Sequence, residues 1–216
     1  MKIKVCGMRE AANIRAVERL DVDWMGFIFY PPSPRHVSGS EADAEAIRRC
    51  GRTKVGVFVD APVGEMAYAA ARYGLDCLQL HGSESPDTCR AVQTLGYPVI
   101  KAFHIADADD LKRTADYDGA ASFFLFDTKC DGFGGSGRRF DWSALHAYDQ
   151  PTPFILSGGI TPQCADELLR FRHPAMIGAD LNSGFELAPA LKDAGALDAF
   201  IRKLKPKHHA SNPQTI

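Results

Sequence analysis

Eight short apolar segments alternate with amphipathic segments along this chain, and that repetition limits its possible folds more than any other feature. The apolar segments are rich in β-branched and aromatic residues and therefore predict strands. They are residues 3–6, 25–29, 54–59, 77–81, 98–103, 122–127, 153–157 and 176–180. Strands that alternate with helices predict an α/β protein with a parallel sheet.

A helical pattern follows each predicted strand. The predicted helices are residues 11–20, 42–50, 63–73, 86–95, 108–115, 142–148, 162–171 and 190–204. Pro162 and Pro189 stand where a first helical turn tolerates proline. Eight units in 216 residues leave about 27 residues per unit, near the lower limit for a (β/α)8 barrel. We therefore predict a single-domain (β/α)8 TIM barrel over residues 1–204, followed by a disordered tail at 205–216.

Composition excludes some classes of function. Hydrophobic residues make up 45% of the chain and the formal charge is −2, which argues against a protein that binds nucleic acid through general electrostatics. Neither a membrane-spanning stretch nor a signal peptide is recognisable, so a cytoplasmic location is predicted. Six cysteines without a C-x-x-C pair indicate reduced thiols rather than disulfides or a zinc site.

Side-chain alternation along the strands predicts which residues face the inside of the barrel. Because Ile3 and Val5 should pack against the helices, their neighbours should point inward. The polar residues predicted to face inward are Lys4, Cys6, Gln79, His81, Lys101 and Asp127. Three of them, Cys6, His81 and Asp127, end their strands at the face where barrel enzymes carry out their chemistry.

The two inward lysines need a charged partner if they are buried. Asp180 is the carboxylate that we expect for Lys4 and Lys101. We treat this group first as a structural pairing, and secondarily as a source of positive charge that could help Cys6 to ionise.

A phosphate site is predicted where the last two strands end. The segments 154–160 and 176–184 both break into small residues, among them Gly158, Gly159, Ser183 and Gly184. Glycine lets the main chain approach an anion closely, and a following helix directs N–H groups toward it. Barrels usually carry their phosphate site after strands seven and eight.

Two loops complete the predicted site. Residues 30–35 form a proline-stiffened loop that presents Arg35, whose guanidinium suits a carboxylate. Residues 131–137, which include Gly134 and Gly135, are glycine-rich as expected of a lid that closes on substrate. A lone strand-end Cys, His or Asp more often has a structural role, and only their combination on one rim favours catalysis.

The order of motifs resembles the phosphoribosylanthranilate isomerase family over nearly the whole length. The matching motifs are Lys4-Val5-Cys6-Gly7, Phe29 through Ser33-Pro34-Arg35, Val55-Gly56-Val57-Phe58-Val59, Gln79-Leu80-His81-Gly82, Asp127 with Gly134-Gly135-Ser136-Gly137, Phe140-Asp141-Trp142, Ser157-Gly158-Gly159-Ile160-Thr161-Pro162, and Asp180 through Ser183-Gly184-Phe185-Glu186. Asn182 stands where this family usually has serine.

This resemblance implies an Amadori rearrangement in tryptophan biosynthesis, which turns a phosphoribosylated anthranilate into a 1-amino-2-ketose. It further implies a general acid at Asp127, a general base at Cys6, and Arg35 on the anthranilate carboxylate. Phosphate would bind at Gly158, Gly159, Asn182, Ser183 and Gly184, while Gly134, Gly135 and His81 would complete the substrate pocket. No metal or organic cofactor is expected, because the substrate nitrogen supplies the electron sink.

Other functions stay open at this point. A ribulose-phosphate epimerase would need metal ligands at strand ends, and His36, His81 and His104 do not fall at equivalent strand ends in the predicted pattern. An indole-glycerol-phosphate synthase would need an inward lysine and an inward glutamate as its acid and base. Lys101 could supply only the lysine. A non-catalytic barrel that binds a phosphorylated ligand needs neither Cys6 nor Asp127. The sequence leaves a monomer and a homodimer equally open.

Overall fold

Eight parallel strands close into a barrel in the computed structural model, which describes residues 1–128 and 142–206. The strands are β1 (Lys2–Val5), β2 (Trp24–Ile28), β3 (Thr53–Phe58), β4 (Cys77–Leu80), β5 (Val99–Ile105), β6 (Phe123–Thr128), β7 (Phe154–Ser157) and β8 (Met176–Leu181). Strand β8 pairs back onto β1, with Lys4 opposite Asp180. The predicted α/β barrel is thereby confirmed.

Helices follow the strands as predicted, although several are 3-10 rather than α. The α-helices are α1 (Ala11–Glu18), α2 (Glu41–Arg48), α3 (Val63–Tyr73), α4 (Pro86–Thr94), α5 (Ala165–Arg170) and α6 (Ala194–Leu204). The 3-10 segments are Ala108–Tyr117, Trp142–Ala147, Pro162–Cys164 and Ser183–Phe185. Ser40 and Ser85 accept hydrogen bonds from N–H groups in the first turns of α2 and α4, which is the usual chemistry of a helix start.

The last predicted helix begins four residues too early. Residues 186–192 instead form a small antiparallel hairpin of β9 (Glu186–Ala188) and β10 (Leu191–Lys192). Pro189 and Ala190 lie in its turn, where Ala190 has a left-handed φ of 66°. Helix α6 starts only after Asp193, whose carboxylate accepts from the N–H of Ala196 at 2.9 Å. The hairpin matters because it brings Glu186 and Lys192 to the rim of the barrel.

Two apolar clusters lie on opposite sides of the barrel wall. The larger one fills the space between strands and helices and includes Val5, Phe27, Leu80, Phe124 and Phe126. The smaller one fills the barrel interior, and its buried members are Trp24, Val55, Cys77, Ile100, Ala102, Leu125 and Ile155. Alternate residues of each strand thus enter different cores, which is how a small barrel fills its interior.

The prediction that Lys101 faces the barrel interior is wrong. Its strand neighbours Ile100 and Ala102 belong to the inner cluster, so Lys101 points outward into the helix layer. There its ammonium pairs with Glu84 at 3.1 Å and not with Asp180. The other strand, β1, follows the prediction, since Ile3 and Val5 enter the outer cluster.

None of the helices in residues 1–128 and 142–206 is long and apolar enough to cross a membrane. The division into a barrel at 1–204 and a tail at 205–216 stays a prediction, because residues 207–216 lie outside the described part of the chain.

Candidate active site

A cleft of about 490 Å³ opens at the carboxyl ends of the strands. Parallel strands direct their C-terminal loops to one face, so residues far apart in sequence meet there. The lining includes residues after β1, β2, β3, β4, β7 and β8, together with Asp127 near the end of β6. Of the predicted site residues, those that line this cleft are Cys6, His81, Asp127, Gly158, Gly159, Asn182, Ser183 and Gly184.

Cys6 lies directly after β1 at the floor of the cleft. Its N–H donates to the carbonyl of Leu181 at 2.9 Å, which continues the β1–β8 ladder by one residue. The residue is only 3% exposed. A Cβ at Gly26 on the neighbouring strand would lie 2.7 Å from the Cys6 sulfur, so glycine at that position makes room for the thiol.

An ion pair supports Cys6 from inside the barrel. The Lys4 ammonium contacts Asp180 at 3.0 Å, and the Ser157 hydroxyl donates to the same carboxylate at 3.3 Å. This part of the predicted pairing is confirmed. Burial disfavours the Lys4 charge, but Asp180 and Cys6 outweigh that cost and raise the pKa of Lys4. Lys4 is therefore favoured as a cation near the thiol.

The balance of charges at Cys6 keeps the thiol protonated in the unliganded protein. Burial raises the pKa of Cys6, and the nearby Asp180 carboxylate adds to that effect. Lys4 and Lys192 act in the opposite direction without overcoming the burial. The expected help from a nearby ammonium is thus present but smaller than the cost of desolvation.

A further buried lysine, which sequence reasoning missed, lies close enough to Cys6 to affect its charge. Lys192 comes from the β9–β10 hairpin, and its ammonium contacts Asn182 at 2.7 Å and Glu186 at 2.5 Å. Burial lowers the pKa of Lys192, against the opposing pull of Glu186. Only the hairpin brings this residue to the site, and no periodic pattern in the sequence predicts that hairpin.

Arg35 does not line the cleft. Its Nε and Nη2 atoms bind Glu186 at 2.9 and 2.6 Å, in a two-pronged pair that raises the pKa of Arg35. The same pair, together with Lys192, lowers the pKa of Glu186 despite burial. A Cβ at Gly7 would lie 2.7 Å from Cδ of Arg35, and Gly7 has a left-handed φ of 76°. Arg35 therefore packs against Gly7, and Glu186 orients its guanidinium.

Asp127 ends β6 on the opposite side of the cleft, where two imidazoles face it. Nε2 of His81 lies 3.4 Å from its carboxylate and Nδ1 of His104 lies 3.5 Å from the same oxygen. Gln79 contacts the other ring nitrogen of His81 at 2.7 Å. The carboxylate, about 29% exposed, faces the cleft and remains accessible.

His104 is a residue that the sequence analysis placed wrongly. The strand was expected to end at residue 103, whereas β5 continues to Ile105, and the reversed parity of that strand turns His104 inward. His81 and His104 consequently do converge, and with Asp127 they form a group whose ligand atoms lie within 4.8 Å of one another.

The loops after β7 and β8 pack against each other at the remaining side of the cleft. Gly158 and Gly159 have φ values of 88° and 60°, a left-handed conformation that favours glycine. Gly184 allows close approach too, because a Cβ there would collide with the carbonyl oxygen of Ile160. The predicted site residues Gly134 and Gly135 lie outside the described residues.

The family model for N-(5'phosphoribosyl)anthranilate (PRA) isomerase matches residues 3–203 of this chain. Among curated relatives, the N-(5'-phosphoribosyl)anthranilate isomerase of Parabacteroides distasonis is 51% identical over 94% of this chain and 93% of its own length. The protein of that name from Phocaeicola vulgatus is 49% identical over 96% of this chain and 99% of its own length.

Solved structures give the same result. The phosphoribosyl anthranilate isomerase of Thermotoga maritima superposes with a TM-score of 0.80 and 30% identity, over 95% of this chain and 98% of that one. The corresponding protein of Thermus thermophilus gives a TM-score of 0.77 and 34% identity over 95% and 98%. This chain therefore belongs to the N-(5'-phosphoribosyl)anthranilate isomerase family.

Proposed function

We propose that this chain converts N-(5'-phosphoribosyl)anthranilate into 1-(2-carboxyphenylamino)-1-deoxyribulose 5-phosphate, a step of tryptophan biosynthesis. The observation that carries this proposal is that Cys6, Asp127 and the loops after β7 and β8 line one cleft in a member of this family. A related structure, 27% identical with a TM-score of 0.78, is described as a complex with reduced 1-(o-carboxyphenylamino)-1-deoxyribulose 5-phosphate.

Asp127 acts as the general acid in this proposal. A proton delivered to the ring oxygen of the ribose opens the ring and leaves a Schiff base between C1' and the anthranilate nitrogen. Asp127 suits this step because its carboxyl group projects from a strand end into the cleft and is partly exposed. The imidazole of His81, 3.4 Å away, can hold the carboxyl group in place.

Cys6 acts as the general base and takes the proton from C2'. Removal of this proton gives an enolamine, which tautomerises to the ketone of the product. The thiol must lose its own proton first, and Lys4 and Lys192 are the cations that favour the thiolate. A cationic Schiff base bound above the thiol adds a third positive charge during the reaction.

The phosphate group binds in the loops after β7 and β8. Gly158, Gly159, Ser183 and Gly184 line this part of the cleft, and their backbone N–H groups would bind the phosphate, with the Asn182 amide as a side-chain contact. Asn182 already receives a hydrogen bond from the Lys192 ammonium, so that cation also lies near the phosphate position.

Arg35 binds the anthranilate carboxylate. Glu186 occupies its Nε and Nη2 atoms and fixes the plane of the guanidinium, so Nη1 is the group that would reach substrate. Gly134 and Gly135 would cover the substrate from the loop after β6. We further propose that the enzyme acts in the cytoplasm, as a monomer or homodimer, on this small phosphoribosyl substrate without an organic cofactor.

Loss of phosphoribosylanthranilate fluorescence tests the function directly. Phosphoribosylated anthranilate formed in situ should lose its fluorescence faster with the wild-type chain, and the rate should fall about 10²–10⁴-fold for Cys6→Ala. Cys50→Ala is the matched control, because Cys50 is equally buried but lies in the outer core. A chain that binds the phosphorylated ligand without accelerating the decay would be a binding protein, and the proposal would fail.

A further inference from the structure

Three potential metal ligands converge at the ends of β4, β5 and β6. They are the side chains of His81, His104 and Asp127, whose donor atoms all lie within 4.8 Å of one another. Nε2 of His81 and Nδ1 of His104 both face the same carboxylate oxygen of Asp127, at 3.4 and 3.5 Å. The reaction proposed above requires one carboxylic acid here and does not require two imidazoles on a single oxygen.

The spacing fits a small divalent cation. Zinc binds nitrogen and oxygen ligands at about 2.0–2.1 Å, and a tetrahedral arrangement then sets neighbouring ligand atoms about 3.3 Å apart. The two distances to Asp127 therefore need almost no change, whereas the two imidazole nitrogens, which lie within 4.8 Å of each other, must come to about 3.3 Å. Two neutral imidazoles and one carboxylate form a donor set of the type that zinc accepts.

A group behind His81 supports its role as a ligand. Metal-bound histidine usually donates its second ring N–H to an oxygen acceptor, which fixes the ring. Gln79 lies 2.7 Å from Nδ1 of His81 and is 1% exposed. Within the described residues, its Oε1 is the buried side-chain oxygen or nitrogen that has no hydrogen-bond partner. Rotation of this amide by half a turn would place that oxygen on Nδ1–H and leave Nε2 free to bind a cation.

The position also leaves room for an exchangeable ligand. Side-chain exposures of 24% for His81, 57% for His104 and 29% for Asp127 mean that a cation can enter from solvent without any strand moving. His81 and Asp127 line the cleft itself, so a fourth coordination position would open toward the substrate pocket.

We propose that His81, His104 and Asp127 form a binding site for Zn²⁺, and that the bound cation inhibits the isomerase. A carboxylate that coordinates zinc cannot carry the proton that ring opening needs. This inhibition rests on the proposed role of Asp127 as the acid, whereas the binding itself does not. Zinc and catalytic turnover are then mutually exclusive at one carboxyl group.

Calorimetric titration of the chelator-treated, untagged full-length chain with ZnCl₂ tests the binding, in a buffer without phosphate. We expect one site, with affinity reduced about 10-fold or more in His104→Ala and also in Gln79→Met, which removes the amide behind His81. The sequence offers a matched control in His208 and His209, because two adjacent histidines near the end of the chain could bind zinc by themselves. The double variant His208→Ala/His209→Ala should keep the site.

Titration with Co²⁺ gives a second readout, since four-coordinate cobalt absorbs visible light when imidazole and carboxylate bind it. The absorption should appear in the wild-type chain and be lost in His104→Ala. Turnover of each variant is compared with and without zinc, and the inhibition should disappear in His104→Ala. Three results would overturn the site. They are no zinc binding by the wild-type chain, unchanged zinc affinity in His104→Ala, and loss of binding in His208→Ala/His209→Ala. Binding at the site without inhibition would retain the site and refute the acid role of Asp127.

Discussion

Two buried lysines form ion pairs of almost equal length on opposite sides of the barrel wall. Lys4 contacts Asp180 at 3.0 Å inside the barrel, and Lys101 contacts Glu84 at 3.1 Å between the strands and the helices. All four side chains are at most 5% exposed. The pairs differ in the groups that surround each lysine. This difference gives the Lys101–Glu84 pair a structural role and the Lys4–Asp180 pair a functional one.

In the outer pair, Lys101–Glu84, both side chains also form hydrogen bonds with backbone groups. The Lys101 ammonium also donates to the carbonyl oxygens of Leu80, Gly82 and Ala102, at 3.2, 2.7 and 3.1 Å. Glu84 in turn accepts from the backbone N–H groups of Asp60 and Gly82, both at 2.9 Å. These further hydrogen bonds of the pair all go to backbone groups, so the pair holds the loops after β3 and β4 in place.

The inner pair borders on a group that can change its charge. Lys4 raises the thiolate population of Cys6, while its partner Asp180 acts against that. Ser157, at the start of the loop that we assign to phosphate, donates to Asp180. The Lys4–Asp180 pair has the same chemistry as the Lys101–Glu84 pair, but it lies next to a titratable thiol and an open cleft. It can therefore influence the reaction.

Replacing each lysine with methionine tests whether the two ion pairs have different roles. Lys4→Met and Lys101→Met should both lose about 3–5 kcal/mol of unfolding free energy, because each leaves an unpaired buried carboxylate. Only Lys4→Met should also lower kcat per folded molecule. Urea denaturation and the fluorescence assay measure the two effects separately.

If either methionine variant fails to fold, Asp180→Asn and Glu84→Gln test the same distinction, because the amides keep hydrogen-bonding capacity. Asp180→Asn should change kcat per folded molecule, since Asp180 acts on the charge of Cys6, whereas Glu84→Gln should leave it unchanged. Equal loss of turnover in the two members of either set would contradict the distinction between the pairs.

A third ion pair, between Arg35 and Glu186, extends the comparison to the rim. Arg35→Ala should raise KM by about 10–100-fold and lower kcat less, because the contact to the substrate carboxylate is made before the reaction as well as during it. Initial rates over a range of substrate concentrations separate the two constants. The control is Arg52→Ala, which removes a guanidinium bound to backbone carbonyls on the other side of the protein. A large loss of kcat at unchanged KM would assign Arg35 to the transition state instead.

The smallest expected effect is on the pH dependence. Because burial raises the pKa of Cys6, most of the thiol is protonated at neutral pH. The wild-type reaction also needs the proton of Asp127, so the effect of the thiol is best isolated in Asp127→Asn, whose residual kcat/KM should increase with pH by at most about tenfold per unit. The raised pKa of Lys4 keeps its ammonium charged over the same range. Adding Lys4→Met to Asp127→Asn should shift this rise to higher pH, whereas adding Lys101→Met should leave it in place.

The raised pKa of Cys6 has the opposite effect on stability, which falls as the pH rises. The folded protein holds the thiol proton more tightly than the unfolded chain, so this contribution is present below the unfolded pKa of about 8.5 and is lost as pH rises through the folded value. Circular dichroism over the pH range should therefore accompany the rates, since unfolding at high pH would imitate a falling activity.

Sequence alone predicts the barrel because eight apolar runs with short connections admit few other arrangements, and it predicts the positions of Cys6 and Asp127 because strand ends share one face. Which side of the barrel wall a given strand residue faces is harder to predict. A lysine with a four-carbon stem packs equally well on either side of the wall, so the residue pattern around Lys101 did not determine its direction.

Which carboxylate pairs with a given buried lysine or arginine is still harder to predict, because the carboxylates lie on loops. Glu84 and Glu186 occupy connections outside the strand and helix repeat, and the hairpin that carries Glu186 and Lys192 replaces a predicted helical turn. The convergence of His104 on Asp127 depends on two additional residues in β5. Such contacts follow from exact strand length and loop path, neither of which the periodicity of the sequence fixes.

The most direct test of the central claim is to measure turnover and melting temperature together for Asp127→Asn. The amide keeps the size of the side chain but cannot deliver the proton for ring opening, so the fluorescence decay should slow by about 10²–10⁴-fold while the melting temperature stays close to that of the wild type. Loss of a merely structural contact would instead cost about 0.5–2 kcal/mol of stability and spare turnover. An Asn variant that melts early but turns over normally would contradict the acid role of Asp127 and, with it, this account of the site.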